Sequence, residues 1–155
     1  MRLLQCIGCA ALVLGAISAP AFANDSKFYP GLMCVPQTPG GTELDGAGGV
    51  LSTRTVSSAL FCPAIDDDPA GNVSAAIWVT DQSTTQDISC GLRSRNADGG
   101  SVGFSTAGTT GSNATERVLL LSAIPRGIYQ FIACTIPAVE QGRKSGITTY
   151  SVSRS

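Results

Sequence analysis

The chain has 155 residues, the size of one ordinary domain, with ten Lys and Arg against eleven Asp and Glu and a formal net charge of −1. Charges of both signs are scattered without a basic stripe, which argues against nucleic acid and anionic membrane surfaces as partners. There is no histidine, which excludes Ser-His-Asp and Cys-His nucleophilic catalysis and histidine-ligated zinc.

Met1-Arg2-Leu3-Leu4 opens the chain, an apolar run follows from Cys6 to Ile17, and Ser18-Ala19-Pro20-Ala21-Phe22-Ala23 closes the segment. A charged start, an apolar centre and a small-residue exit are the grammar of a secretory signal, with Ala21-Phe22-Ala23 as the cleavage site. The run falls short of the roughly 20 apolar residues that cross a bilayer. The expectation is a signal peptide over 1–23 and a single mature domain over 24–155, periplasmic or extracellular, with no membrane span.

Beyond residue 24, Gly, Ser and Thr are abundant, whereas Lys occurs only at Lys27 and Lys144 and Glu only at Glu43, Glu116 and Glu140. Scarcity of the residues that populate helix surfaces, together with many Thr, Val and Ile, favours strands joined by Gly-rich turns. Short alternating or apolar segments predict strands over 32–35, 49–53, 56–62, 73–80, 87–95, 101–104, 117–123, 128–136 and 148–153. Asp45-Gly46, Asp98-Gly99-Gly100 and Arg126-Gly127 are read as turns using positive φ, and Pro63, Pro125 and Pro137 fall at strand ends. The best-formed strand carries Val73, Ala75, Ile77 and Val79 on one face. The stretch 103–114, rich in Gly, Ser, Thr and Asn, reads as a long flexible connection between sheets. The predicted fold is all-β: an antiparallel β-sandwich, immunoglobulin-like or jelly-roll-like, stapled by disulfides.

Removing Cys6 and Cys9 with the signal leaves Cys34, Cys62, Cys90 and Cys134, an even number in an oxidising compartment. Four cysteines allow three connectivities. We favour Cys34 with Cys62, which flank one hairpin region, and Cys90 with Cys134, which share strand faces with Ile88 and Leu92 and with Ile132 and Ile136. On this parity the second pair is expected to bridge the core.

Several motifs bear on chemistry. Gly99-Gly100-Ser101-Val102-Gly103 matches a nucleophile-elbow pattern, but that mechanism needs a strand-to-helix turn and a histidine base, and a hairpin is predicted here. A Ser-Lys dyad would need a buried lysine, and Lys27 and Lys144 lie in polar surroundings. Asp66, Asp67 and Asp68 form the one acidic cluster. They lack the position-12 carboxylate of an EF-hand, yet three adjacent carboxylates repel, and calcium at a sandwich loop would relieve them. Asp81, Asp87, Glu116 and Glu140 are too dispersed for the sequence to pair them as glycosidase acids. Trp78, the sole tryptophan, lies opposite Ile77 and Val79 and would stack a sugar ring if it points outward; the competing role is packing. Tyr129, Phe131 and Tyr150 are read as packing residues.

Cys62-Pro63 closing an early strand, Ile88-Ser89-Cys90-Gly91-Leu92-Arg93-Ser94-Arg95, Cys134-Thr135-Ile136-Pro137 and a final Tyr150-Ser151-Val152 strand together resemble a group of small exported bacterial proteins of unknown function. The resemblance implies an exported, disulfide-bonded β-sandwich and transfers no activity. The expected function is a non-enzymatic domain that binds or assembles through its surface, with protein or polysaccharide as partner. The alternatives are a carbohydrate-binding module using Trp78, with or without calcium, and an enzyme inhibitor presenting the 103–114 loop.

Overall fold

The structure, a computed structural model, describes residues 26–65 and 71–154. The signal segment and Asp66, Asp67 and Asp68 lie outside the described residues. Among the described residues, eleven strands form two antiparallel sheets: β1 (Lys27–Pro30), β2 (Val35–Pro36), β3 (Thr42–Leu44), β4 (Val50–Ser52), β5 (Ser58–Pro63), β6 (Asn72–Asp81), β7 (Ser89–Arg95), β8 (Ser101–Gly108), β9 (Asn113–Pro125), β10 (Tyr129–Ile136) and β11 (Gly146–Arg154). Sheet A runs β3-β4-β11-β6-β9 with β1 also on β11, and sheet B runs β2-β5-β10-β7-β8. The chain changes sheet at nearly every connection, so each hydrophobic strand face is covered by strands close to it in sequence.

The period-2 pattern places the core. Along β6, burial alternates from Val73 to Asp81, with Val73, Ala75, Ile77 and Val79 inward as their alternation predicts. They meet Leu60, Leu92, Ile132 and Ile136 from sheet B. Tyr150 is fully buried among them and stacks on Tyr29 at 5.1 Å between ring centroids.

Both expected disulfides are present, Cys34–Cys62 and Cys90–Cys134. The placement of the second differs from the expected core bridge. Cys134 sits directly opposite Cys90 on the neighbouring strand of the same sheet, and Cys34–Cys62 continues the Val35–Phe61 register of β2 on β5. The Cα atoms are 4.0 Å apart in each, as suits directly opposed residues. Parity aims all four sulfurs inward, but the partner of each is its neighbour along sheet B rather than a residue across the core.

The 103–114 stretch is likewise not a flexible connection. β8 continues to Gly108, in register with Ser89 of β7, and β9 begins at Asn113, leaving 109–112 between them. Phe104 and Thr106 point out while Ala107 packs against the core, an alternation that the Gly and Thr content hides. A four-residue connection of this kind leaves little to present as an inhibitory loop. β1 and β3, which the sequence pattern did not predict, are short additions at the sheet margin.

Two turn glycines act differently. Gly99 takes φ 81° in the β7–β8 hairpin, closed by Asn96 N–H on the Gly100 carbonyl at 2.9 Å. Gly127 does not need the positive φ expected of it; a Cβ there would meet the Arg95 carbonyl oxygen at 2.3 Å. Close backbone approach is what requires glycine at that position.

Candidate functional site

With aliphatic residues turned inward, the question is which large side chains the two sheets turn outward. On sheet A, Trp78 occupies the outer face of β6, level with Thr149 of β11 and Val118 of β9. It is half-buried, and Phe28 of β1 lies beside it with ring centroids 5.9 Å apart at an interplanar angle of 43°. Phe28 is 66% exposed and Leu120, on the same face, 72%. The expected outward parity of Trp78 holds, and the packing it makes is lateral, against Phe28 on the surface. Phe28 escapes sequence reasoning because its strand is four residues long and ends in proline.

Sheet B presents a second aromatic face. Phe61 and Phe131 are neighbours at 6.0 Å. Together with Met33, Val35, Cys62 and Pro63 they line an open apolar depression of about 500 Å³. In the same cross-strand row, Phe131 is level with Pro63 on one side and Arg93 on the other, and Arg93 is level with Phe104. Phe104 is 70% exposed. Tyr150 is a packing residue as expected, but Phe131 is half-buried on the outside of the sandwich and Tyr129 is exposed.

Asp81, Asp87 and Glu140 hold loops, while Glu116 is exposed on β9. Asp81, 1% exposed, accepts from the N–H groups of Ser83 and Ile88, both at 3.1 Å, from Ser145 Oγ at 3.2 Å and from Thr109 Oγ1. Four donors satisfy this buried charge and tie β6 to the loops entering β7, β9 and β11. Glu140 accepts from Thr84 N–H at 2.7 Å, Ser83 Oγ at 3.2 Å and Thr84 Oγ1. These hydrogen bonds, led by that of the Thr84 hydroxyl, hold its carboxyl below the usual glutamate range. Asp87 accepts from Gly111 N–H at 2.8 Å. Lys144 pairs with Glu43 at 2.5 Å at the surface, and Ser101 of the nucleophile-elbow match opens β8 directly after the hairpin turn.

Among the described residues there is no group of three His, Cys, Asp or Glu placed to hold a metal, and no helix is long and apolar enough to cross a membrane.

The sequence matches no protein-family model and no characterised protein. Its fold, however, has solved counterparts. The CBM36-1 domain of a multidomain xylanase from the hindgut metagenome of Trinervitermes trinervoides aligns at a TM-score of 0.50 and 10% identity, over 84% of this chain and 98% of that one. A family two carbohydrate esterase from Cellvibrio japonicus aligns at 0.52 and 6% identity, over 85% of this chain and 34% of that one. A carbohydrate-binding module CBM36 in complex with calcium and xylotriose aligns at 0.48 and 12%, over 81% and 97%. At these identities the likeness is one of fold.

Proposed function

We propose that the protein is an exported, non-enzymatic carbohydrate-binding module that stacks sugar rings on the outer face of sheet A. The observation that carries this reading is the Trp78–Phe28 pair, two adjacent aromatic side chains held side by side on a rigid sheet and turned to solvent. The CH faces of a pyranose are apolar and its edges are ringed with hydroxyls. The outward aromatic pair suits those apolar faces. The fold likeness to the CBM36-1 domain supports the same reading. Export accords with two buried disulfides, which form and persist in oxidising compartments. Calcium belongs to this reading as a ligand of Asp66, Asp67 and Asp68, tested by measuring binding with calcium and with a chelator.

The experiment is a titration of the single tryptophan emission with a panel of soluble polysaccharides, xylan included, repeated on Phe28→Ala and, by affinity electrophoresis, on Trp78→Ala. The expected result is a saturable emission change with at least one glycan and loss of retardation in both variants. An unresponsive folded protein across the panel overturns the reading.

A second reading, assembly through the surface, is favoured by one feature. β9 is a 13-residue strand at the margin of sheet A, with Val118 and Leu120 exposed on it, and long apolar edge strands pair with other chains. Self-association that disappears in Leu120→Lys supports it.

A further inference from the structure

We infer that the outer face of sheet B is a separate binding surface for an acidic polysaccharide, one whose sugar rings carry carboxylates. The first ground is charge. β2, β5, β7, β8 and β10 contain no Asp, Glu or Lys; their only ionised residues are Arg93 and Arg95. Both share the outward parity of β7, opposite the buried Cys90, Leu92 and Ser94. On a chain of net charge −1, the strands of this face therefore carry positive charge alone among the described residues. Arg93 is exposed and has no ion-pair partner among the described residues. Arg95 is held in place by donating to the Gly99 carbonyl at 2.6 Å. The nearest acid along the strand, Asp98, sits at the hairpin tip, where it accepts from Gly100 N–H.

The second ground is the arrangement around Arg93. Pro63, Phe131, Arg93 and Phe104 stand in one cross-strand row, a line of roughly 14 Å at about 4.8 Å per strand. Arg93 thus stands between two aromatic residues in the row. In the adjacent row Ala133 and Gly91 separate Phe61 from Thr106, so a low floor runs beside the taller one. A flat, shallow surface of this kind accepts a chain lying across the strands, with ring faces on Phe131 and Phe104 and a carboxylate on the planar fork of Arg93. Arginine binds carboxylates in two parallel hydrogen bonds, which a neutral sugar does not offer. Two arginines are too few for a nucleic acid backbone, and an apolar protein partner would leave the exposed Arg93 charge uncompensated.

The test is affinity electrophoresis and calorimetry of the described domain in its oxidised form with polygalacturonate, with its fully methyl-esterified counterpart and with dextran sulfate. Polygalacturonate should bind, the ester should bind at least about tenfold more weakly, and Arg93→Gln should lower polygalacturonate affinity by a similar factor. Arg93→Lys should restore only part of it, Phe104→Ala should weaken it, and Arg143→Gln, an exposed arginine on another loop, should leave it unchanged. Trp78 emission should stay constant, since that residue lies on the other sheet. Equal binding of acid and ester, equal affinity for dextran sulfate, wild-type affinity in both folded Arg93 variants, or no binding to polygalacturonate would each overturn the inference. So would a Trp78 emission change, which would move the ligand to sheet A.

Discussion

The phenol of Tyr150 donates to the carbonyl oxygen of Pro63 at 2.9 Å, joining β11 of sheet A to β5 of sheet B by a hydrogen bond that crosses the core. Burial pushes this phenol well above the usual tyrosine range. Tyr150→Phe keeps the packing and leaves the Pro63 carbonyl without this donor. Urea unfolding should show a loss of about 1–2 kcal/mol, and Tyr150→Ala should cost several kcal/mol through the cavity it leaves.

Asp81 concentrates four donors on one buried carboxylate. Asp81→Ala leaves the buried Ser83 N–H without its acceptor, while that of Ile88 keeps Thr109 Oγ1 at 2.9 Å, and should destabilise by about 2 kcal/mol or more. Asp81→Asn should lose less in unfolding free energy while exposing the amides of Ser83 and Ile88 to faster hydrogen exchange.

Both disulfides are buried in sheet B. In the chain-entropy account, separations of 28 and 44 residues correspond to about 3.5 and 4 kcal/mol. Millimolar thiol should leave the native protein oxidised over hours and reduce it fully once denaturant is added, as followed by mass spectrometry after alkylation. Removing either pair by Cys→Ser substitution should lower the thermal midpoint by more than ten degrees, on the order expected for a domain of this size.

Glu140 has its folded pKa depressed by the Thr84 and Ser83 hydrogen bonds. Its contribution is therefore present above the unfolded glutamate pKa and is lost as pH falls through the folded value. The Glu140 carboxyl carbon should titrate below an ordinary glutamate by NMR. The stability difference between wild type and Glu140→Gln should shrink as the pH is lowered through that range.

Trp78 is half-buried and leans on Phe28. Acrylamide should quench its emission partially in the wild type, more strongly in Phe28→Ala, and fully only after unfolding. Quenching equal to that of free tryptophan in the native state would contradict the lateral packing.

How much of this could be read in advance depended on whether burial and hydrophobicity agree. β6 is legible because its inward residues from Val73 to Val79 are all apolar and its ends, Asn72 and Asp81, are polar. β8 is not, since its largest apolar residue, Phe104, points out and its inward positions are small; a strand with that inversion looks like a loop. The cysteine pairs follow from parity and proximity, but parity reports only that a side chain faces the core. It does not distinguish a neighbour in the same sheet from a residue opposite, so parity alone does not separate the Cys90–Cys134 rung from a bridge across the core. Trp78 is visible by alternation, whereas the Arg93 row exists only once strands far apart in sequence are set in register.

The position of the two disulfides also governs how the molecule answers a pull. The ring closed by Cys34–Cys62 contains β2, β3, β4 and most of β5, and that closed by Cys90–Cys134 contains β8, β9 and most of β7 and β10, whereas β1, β6 and β11 lie outside both. Tension applied at the ends reaches the middle of sheet A through β6 and β11 but passes around the rings. About 95 Å and about 150 Å of contour stay hidden behind the sulfur links at roughly 3.4 Å per residue. The oxidised chain is therefore a tether of limited reach, and cutting either link by thiol should lengthen it in one discrete step.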